Sequence, residues 1–462
     1  MDSLNRRDFI KYALLGTTSL PFWAPVCHAM HRNLKPNIVL IMADDLGHND
    51  LGCYGNTINR TPHIDTLAAE GLRFTDFHAN GPVCSPTRAA LLTGRYQQRM
   101  GIETALGEGH QVPWPDNVLT IADYLKQAGY TTGAFGKWHL GMEEHPLDHG
   151  FDRYTGNMHG GVDYFSHVDR YGNIDWWQDK KIKNEKGFNT TLVTDCSVRF
   201  IKKHKAKPFF LYVPYSAIHF PWMTPEDKAY RQEGGRYTDL SKLGPHRDEN
   251  LTSVVQRMIE ELDKGVGRIM TALKENDLEG RTLVWFISDN GGYLAYGGRH
   301  RNEISDNGPF RGQKGSLYEG GHRVPGIAWW PGRIKPGMVS RETVMTMDLM
   351  PTFLELADLS LPPSDSPHAL DGISLKPLLL RREPLPKRIL FWRSPNLKAV
   401  RRGPWKLVKR RNQNPELFNL EEDTGEQNDT AARHPELVQQ LLAAIDDWEK
   451  DVGKSYTAYK ET

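Results

Sequence analysis

The sequence predicts an α/β protein with a large, mixed and mostly parallel β-sheet flanked by helices, followed by a smaller C-terminal α+β domain with an antiparallel sheet. Three observations support this fold class. Near-continuous apolar runs, typical of buried parallel strands, recur before residue 360. Segments with helical spacing of apolar residues separate these runs. Beyond a proline-rich crossing, the pattern changes to short strands joined by turns.

Four of the apolar runs end in polar residues that could form a site. The runs are PNIVLIMADD, YTTGAFGKWH, PFFLYVPYSAIH and TLVWFISDNG. The polar residues that close them are, in chain order, Asp44 and Asp45, Lys137 and His139, His219, and Asp289 and Asn290. Because ligands bind at the carboxyl ends of parallel strands, we expect these side chains to meet at one edge of the sheet.

Helical patterns and turn residues divide the rest of the chain. Apolar residues follow helical spacing at 118–129 and at 251–276. The segments RILFWRS, LKAVRRGPWKLVKR and ELFNLEED predict short antiparallel strands, with a turn at Gly403-Pro404 and a helix from residue 434. The predicted divisions are an export signal at 1–29, a main α/β domain at 30–360, a linker or exposed crossing at 361–386 and a C-terminal α+β subdomain at 387–462.

The N-terminal segment NRRDFIKYALLGTTSLPFWAPVCHAM resembles a twin-arginine export signal. It contains the pair Arg6-Arg7, a short apolar stretch and a small-residue cleavage pattern before Met30. The apolar stretch is too short, and too interrupted by glycine and proline, to form a stable membrane span. We therefore expect export by the twin-arginine machinery to the periplasm or the medium. Lipidation of Cys27 is a less favoured alternative.

The charge balance excludes one class of partner. The 462 residues include 58 Lys+Arg against 57 Asp+Glu, a formal net charge of +1. This balance predicts no polyanion-binding surface overall, so nucleic acid is not an expected partner. A local cluster of cations could still hold an anion.

Cysteine usage singles out one thiol. Without Cys27, which leaves with the signal, the cysteines are Cys53, Cys84 and Cys196. An odd number in an oxidising compartment leaves at least one of them outside an intramolecular disulfide. Cys84 is the candidate, because it lies in GPVCSPTRAALLTGRY between a Gly-Pro turn and a predicted helix.

The residues around Cys84 predict a helix N-terminus. Ser85 is expected to cap the helix and Pro86 to occupy its first position, so backbone N–H groups would favour negative charge beside Cys84. From the residues alone, Cys84 is either a buried structural thiol or a thiolate nucleophile. The second alternative is disfavoured because a phosphatase-type loop places more backbone amides before its arginine than the interval from Cys84 to Arg88 supplies. A thiolate outside the cytoplasm is also open to oxidation.

The two acidic pairs at strand ends predict a metal site. Asp44, Asp45, Asp289 and Asn290 offer only oxygen, which suits a hard cation such as Ca²⁺ or Mg²⁺ and not the nitrogen and sulfur preference of zinc. Carboxylates crowded at one sheet edge repel each other unless a cation lies between them.

The block that begins at Cys84, CSPTRAALLTGRY, is similar to the signature of the type I sulfatases, which belong to the alkaline phosphatase superfamily. Further blocks fit the family in order along essentially the whole mature chain. They are PNIVLIMADDLG, TPHIDTLAAEGLRFTDFHA, GYTTGAFGKWHLG, GFDRYTGN, HFPW, ISDNGG and RGQKGSLYEGGHRVP. One departure follows the first acidic pair, where relatives often carry an aromatic residue in place of His48 or Asn49.

The resemblance implies a specific chemistry. It implies an alkaline phosphatase-like fold in which a maturing enzyme converts Cys84 to formylglycine, whose hydrated aldehyde attacks sulfur and later expels sulfate. It also implies one Ca²⁺ per chain, held by the two acidic pairs together with the modified Cys84. The substrate would be a sulfate monoester, with a sulfated carbohydrate favoured because the chain is exported and its loops are polar.

The resemblance also implies roles for five further residues. Arg88 would bond the diol and the acidic ligands, and Lys137 and Lys314 would bind sulfate oxygens. His139 would take the diol proton when sulfate leaves, and His219 would protonate the departing alkoxide.

Other polar residues in predicted loops could line a pocket for the leaving group. They are His159, Asp163, His167, Tyr293, His300 and Arg301. Ordinary loop residues are an equal alternative for each of them. Two other functions also stay open at this point: a phosphonate or phosphate ester hydrolase that uses the same modified cysteine, and a non-catalytic calcium- or glycan-binding protein on this scaffold.

Overall fold

Alternating apolar strands and amphipathic helices build the protein, as described by a computed structural model. It describes residues 35–107, 112, 114–115, 118–238, 244–246, 251–295 and 304–453. The strands are β1 (Asn37–Ala43), β2 (Leu72–Phe74), β3 (Phe77–His78), β4 (Thr131–Phe135), β5 (Arg153–Gly156), β6 (Trp177–Gln178), β7 (Lys181–Ile182), β8 (Phe209–Pro214), β9 (Thr282–Ser288), β10 (Gly326–Trp329), β11 (Met338–Ser340), β12 (Val344–Met345), β13 (Ile389–Ser394), β14 (Leu397–Arg402), β15 (Trp405–Arg410) and β16 (Glu416–Asn419).

Helices connect these strands. They are α1 (Pro62–Ala69), α2 (Cys84–Thr93), α3 (Ile121–Gln127), α4 (Asn189–His204), α5 (Leu251–Lys274), α6 (Glu319–His322), α7 (Leu349–Leu356), α8 (Lys376–Arg381) and α9 (Pro435–Val452). None of the helices in the described ranges is long and apolar enough to cross a membrane.

The large sheet has ten strands in the order β11-β2-β10-β9-β1-β8-β4-β5-β6-β7. The four strands predicted from apolar runs are neighbours at its centre, in the order β9-β1-β8-β4, and all four run parallel. Their carboxyl ends therefore lie along one edge, as predicted. Strand β10 pairs antiparallel with both β9 and β2, and β6 pairs antiparallel with β5, which makes the sheet mixed.

Both faces of the large sheet are buried, which explains why its central strands are apolar throughout. In β1, Ile38, Leu40 and Met42 join a core with α3 and α7. The alternate residues Val39 and Ile41 join a second core with α1, α4 and α5. The predicted α/β class is thus confirmed.

The C-terminal part of the chain forms a second sheet, also as predicted. Strands β13, β14, β15 and β16 pair antiparallel in sequence order. Val400 and Leu407 pack with α9, while Ala399 and Val408 face a core that includes Ala90 of α2. This sheet therefore lies between α9 and the helix that begins at Cys84.

Three local predictions need correction. The helix predicted at 118–129 begins at Ile121, because Thr120 caps it by accepting a hydrogen bond from the Asp123 N–H. Helix α2 begins at Cys84 itself. Ser85 is not its cap, since the Ser85 hydroxyl accepts a hydrogen bond from the Leu106 N–H at 3.0 Å. The segment 361–386 contains α8, whose Leu378 and Leu379 are buried in the core.

A buried ion-pair network joins the C-terminal sheet to helix α6. Lys406 of β15 donates to Glu319 of α6 at 2.8 Å and pairs with Glu426 at 2.9 Å, and all three side chains are fully buried. The same ammonium lies 3.1 Å from Nε2 of His322, whose ring contacts His78. His78, Glu319 and His322 could in principle bind a metal. The Lys406 ammonium instead occupies the position beside Glu319 and His322, so we interpret the cluster as structural.

Lys406→Met should lower the free energy of unfolding by about 3–5 kcal/mol, because it leaves the buried Glu426 without its cation and leaves Glu319 with only Arg323 and the more distant Arg401. Urea denaturation measures the change. Lys409→Met, on the same strand, is the matched control, since the Lys409 ammonium bonds only a backbone carbonyl near the surface. That control should change stability by about 0.5 kcal/mol or less. Equal effects of the two substitutions would contradict the importance of the network.

Candidate active site

The ends of the four central strands place the predicted residues together. The Asp44 N–H donates to the Ala217 carbonyl at 2.8 Å, and the Asp289 N–H donates to the Ala43 carbonyl at 3.1 Å. The Lys137 N–H donates to the Pro214 carbonyl at 2.7 Å. These backbone bonds continue the pairing of the sheet beyond the strands, so the side chains that follow are held on rigid elements.

The two acidic pairs converge at this edge. The Asp45 N–H donates to Asp289 Oδ1 at 3.2 Å, and Asn290 Nδ2 donates to Asp45 Oδ1 at 2.8 Å. Asp44, Asp45, Asp289 and Asn290 are all 3% exposed or less. Burial raises the pKa of Asp44 and of Asp289, with the neighbouring carboxylates adding to the rise. Asp45 also has a positive φ of 64°, a conformation that a non-glycine residue adopts only when its surroundings impose it.

Three buried cations balance the three carboxylates. Arg88, one helical turn after Cys84, donates from Nε and Nη2 to Asp289 Oδ2 at 3.0 and 2.7 Å. The Lys137 ammonium pairs with Asp44, and the Lys314 ammonium pairs with Asp45. Burial acts to lower the pKa of Lys314, but the combined attraction of Asp45 and the acidic groups around it raises that pKa well above its usual value. Every charge in the site therefore has a partner of opposite sign.

Cys84 lies among these charges. Its side chain is buried, and burial raises the pKa of the thiol. Lys137 and Lys314 act on the thiol in the opposite direction, while Asp44 and Asp289 add to the rise. A thiolate is therefore not favoured here, which agrees with the sequence argument against a thiolate nucleophile. Cys53, Cys84 and Cys196 are all free thiols.

Two histidines enter the site with defined tautomers. His139 Nε2 lies 2.7 Å from the Leu106 carbonyl, so Nε2 carries the hydrogen and the buried Nδ1 is a free acceptor within the described structure. His219 Nδ1 lies 2.6 Å from the Phe220 carbonyl, which leaves Nε2 directed toward the site, 3.9 Å from Asp45 Oδ2. Burial, followed by the charge of Lys137, holds the pKa of both imidazoles well below 6.5.

The donor set fits a hard divalent cation. Asp44 Oδ1, Asp45 Oδ2 and Asn290 Oδ1 are buried and have no hydrogen-bond partner in the described part of the chain. Buried oxygens normally have partners, so three such atoms on neighbouring residues need an explanation. Carboxylate and amide oxygens are the ligands that Ca²⁺ and Mg²⁺ prefer. Asp44, Asp45, Asp289 and Asn290 are therefore the residues that would hold the ion.

The structure separates the candidate pocket residues. Tyr293 lies at the site, since the Lys314 ammonium is 5.0 Å from its ring centroid. His159 is partly exposed, 3.7 Å from Asp169, next to the glycine that contacts His139. Asp163 instead accepts backbone hydrogen bonds from four loop residues, and His167 is buried against Trp176. Both are structural, while His300 and Arg301 lie outside the described residues.

Sequence reasoning missed the role of Gly160 and Gly161. A Cβ on Gly160 would lie 2.7 Å from the His139 ring, and one on Gly161 would lie 3.0 Å from His219 Nδ1. The two glycines therefore let the loop pack against both imidazoles. The adjacent pair in GNMHGGVDY was the only available signal, and it did not by itself identify the histidines.

His48 shows why an aromatic residue suits its position. Its ring packs edge-on between Tyr54 and Phe310, with centroids 4.7 and 4.6 Å away. Both ring nitrogens are buried, and the backbone of Gly308 offers them at most a weak hydrogen bond. Burial, aided by the positive charge of Arg323, lowers the pKa of His48 to about 3. The folded protein therefore holds this imidazole neutral at pH values where the unfolded chain binds a proton.

His48→Phe should make stability less sensitive to acid. Because the pKa of His48 is lower in the folded state, its contribution to the free energy of unfolding is present above pH 6.5 and is lost as pH falls. Between pH 7.5 and 5, the free energy of unfolding of the wild type should fall by about 2 kcal/mol more than that of the variant. Urea denaturation at both pH values measures this difference, with His63→Phe at an exposed position as the control. Parallel losses in wild type and His48→Phe would contradict the prediction.

The central parallel strands, the acidic pairs at their carboxyl ends and the cations around Cys84 define a hydrolase of the alkaline phosphatase superfamily. Residues 36–359 match the family model described as Sulfatase, and residues 312–451 match the model described as N-sulphoglucosamine sulphohydrolase, C-terminal. The chain therefore belongs to the sulfatase family and is a sulfuric ester hydrolase.

Individual relatives agree with this assignment. The N-acetylgalactosamine-6-sulfatase of Sus scrofa is 36% identical over 394 residues, covering 80% of this chain and 71% of the relative. The crystal structure of Ps i-CgsB superposes with a TM-score of 0.78 and 32% identity, covering 90% of this chain and 92% of that one. The same protein has also been solved in complex with k-i-k-neocarrahexaose. The phosphonate monoester hydrolase of Agrobacterium radiobacter, at 19% identity, TM-score 0.65 and coverages of 92% and 98%, shows only the shared fold.

Proposed function

We propose that this chain is an exported, Ca²⁺-dependent sulfatase that hydrolyses a sulfate monoester of a carbohydrate through formylglycine derived from Cys84. The observation that carries the proposal is the set of three unpartnered buried oxygens, on Asp44, Asp45 and Asn290, beside a buried cysteine with cations around it. A structural cysteine would not need such surroundings. An oxygen nucleophile at this position would.

The charge balance of the site supports an anionic substrate. The carboxylates of Asp44, Asp45 and Asp289 are matched by Arg88, Lys137 and Lys314. When present, a divalent cation supplies further positive charge and formylglycine supplies a nucleophilic oxygen. Lys137 and Lys314 then act as point charges for sulfate oxygens, and Arg88 keeps Asp289 in position.

The two imidazoles divide the proton transfers. Nε2 of His219 points into the site, so in its protonated form it can donate to the departing alkoxide. A bound sulfate ester offsets the charges of Lys137 and Lys314, and this raises the pKa of both imidazoles toward the range where they exchange protons. His139, whose Nδ1 is a free acceptor in the described structure, takes the proton released when sulfate leaves.

A carbohydrate substrate is supported by the relatives and by the pocket. One relative is named as an N-acetylgalactosamine-6-sulfatase, and the Ps i-CgsB structure contains a neocarrahexaose. Tyr293 lies beside Lys314 and His159 lies beside Gly160, and in this proposal their polar groups contact sugar hydroxyls. The ester's alcohol would leave as a free sugar hydroxyl, and the sulfur would leave as inorganic sulfate.

Export is part of the proposal. It depends on the Arg6-Arg7 pair and the apolar stretch that follows, both of which lie outside the described residues. The twin-arginine machinery and a formylglycine-generating enzyme are the partners that this proposal requires. The divisions at residues 30, 361 and 387 likewise stay predictions.

The test is a panel of defined sulfated mono- and oligosaccharides, assayed with protein matured in its native host. We expect release of inorganic sulfate from at least one sugar ester and faster turnover of p-nitrophenyl sulfate than of p-nitrophenyl phosphate or a phosphonate monoester. Preference for the phosphorus esters would contradict the sulfatase assignment. An unmodified thiol in the Cys84 peptide, with no turnover of any ester, would favour a binding protein.

A further inference from the structure

The chain has one strongly basic segment although its net charge is only +1. Residues 381–411 contain twelve lysines and arginines and a single acidic residue, Glu383. This segment includes β13, β14 and β15. Where these charges are not paired within the protein, they create a positive potential that attracts anions.

Part of the segment lines a cleft of about 1110 Å³ at the junction of the two sheets. The walls come from the residues after β2, the segment between β11 and β12, and the turn between β14 and β15. The cations that line the cleft are Arg323, Arg341, Lys387, Arg388, Arg401 and Arg402. The acidic residues that line it are Asp76, Glu342 and Glu421.

Three cations at the floor of the cleft, Arg323, Arg388 and Arg401, already form ion pairs within the protein. Arg401 forms a bidentate pair with Asp76 at 2.8 and 2.7 Å, and Arg323 lies 3.4 Å from the same carboxylate. Arg388 pairs with Asp348. These contacts fix the floor of the cleft.

The outer cations have no such partners. Arg341, Lys387 and Arg402 are exposed, and none of the described carboxylates lies within 4.0 Å of their charged groups. Arg402 donates to Gln440, which holds the side chain without neutralising it. Glu342 and Glu421 also line the cleft, so these three cations exceed the two carboxylates by one and the rim carries a small positive charge.

The cleft is close to the active site along the chain and in space. Arg323 directly follows α6, and within α6 the Gly321 carbonyl accepts a hydrogen bond from the Gly291 N–H at 3.0 Å. Gly291 follows Asn290, one of the candidate metal ligands. One short helix thus separates a wall of the cleft from the active site.

We propose that this cleft is a second binding site for a sulfated oligosaccharide. It binds sulfated sugars of the same oligosaccharide whose sulfate ester is hydrolysed at Cys84. The inference rests on the proposed function. Arg341, Lys387 and Arg402 bind sulfate groups. The hydroxyl oxygens of Thr75 and Thr343, whose hydrogens are donated to Ser340 and Asp76, accept hydrogen bonds from the sugar. The residues that line the cleft include no aromatic side chain, so it lacks the stacking surfaces that single-stranded nucleic acids require.

The test measures binding in a Cys84→Ala background, which prevents hydrolysis of the probe. The probes are short dextran sulfate and unsulfated dextran of the same length, titrated by calorimetry at two salt concentrations. A triple variant, R341Q/K387Q/R402Q, should bind dextran sulfate roughly tenfold more weakly and with a smaller dependence on salt. The matched control is K203Q/K207Q/K274Q, which removes three exposed lysines on and beside α4 and α5 and should bind like the parent.

Binding and kinetic measurements on these variants test the second site. Equal affinities of the two triple variants, or equal binding of sulfated and plain dextran, would overturn it. Binding of a single-stranded DNA oligonucleotide as tight as that of dextran sulfate would overturn the preference for a glycan. When R341Q/K387Q/R402Q is made with Cys84 intact, it should keep the wild-type kcat/KM on p-nitrophenyl sulfate. Unchanged kinetics would show that the cleft is separate from the active site. Failure of the proposed function appears differently, as absence of turnover in the wild type.

Discussion

Cys84→Ala should reduce turnover of p-nitrophenyl sulfate by roughly 10⁴-fold or more, since it removes the nucleophile on which the other groups act. The fold should persist, because the side chain is small and fully buried and alanine leaves its neighbours on α2 in place. Loss of the sulfur atom should cost about 1–2 kcal/mol of stability at most. Initial-rate kinetics and thermal unfolding measure the two effects.

Cys196→Ala is the matched control for this prediction. Cys196 is also a free and buried cysteine, but it lies in α4 and packs in the second core. It should change stability by a similar amount and leave kcat within about twofold of the wild type. Near wild-type turnover in Cys84→Ala would refute the mechanism, whatever the result for Cys196→Ala.

Removal of divalent metal by a strong chelator should lower activity by at least about 10²-fold, and added Ca²⁺ should restore it. A second readout does not depend on activity. Because an ion would give partners to the free oxygens of Asp44, Asp45 and Asn290, saturating Ca²⁺ should stabilise the folded protein by about 2.7 kcal/mol at one hundred times its Kd. Thermal unfolding with and without Ca²⁺ measures this shift.

Asn290→Leu tests the metal prediction at one ligand, and Asn307→Leu is its matched control. It removes one oxygen ligand with little change in volume and keeps all three carboxylates, so the Ca²⁺-dependent rise in unfolding temperature should shrink. Asn307→Leu, a buried amide near the site whose oxygen accepts from the Gly292 N–H, should destabilise the protein but keep that rise. The metal assignment would be excluded if neither the activity nor the unfolding temperature changed on addition of chelator or Ca²⁺.

The central sheet could be predicted because each strand carries its own signal. The apolar runs of β1, β4, β8 and β9 are buried on both faces, so neither face needs polar residues. The acidic pairs and the two histidines follow these runs directly in sequence. Their convergence then depended only on the parallel order of neighbouring strands, which the apolar composition already indicated.

Other features depend on contacts between distant residues and left no local signal. The capping role of Ser85 was wrong because its hydroxyl bonds Leu106, a partner that sequence spacing does not reveal. Lys406 looks like a surface lysine in an antiparallel strand, yet it is fully buried against Glu319 and Glu426. Likewise, His167 resembles a polar loop residue until its contact with Trp176 is known.

The bare backbone at positions 160 and 161 limits how this enzyme can change its choice of substrate. A side chain added at either position would lie against the ring of His139 or His219, so changes in recognition at this loop must come from flanking positions such as His159. Transplanting a loop from a relative would succeed only if the donor also lacks side chains at these two points. Within this one loop, the two glycine positions cannot vary without moving the histidines, whereas the neighbouring position 159 can.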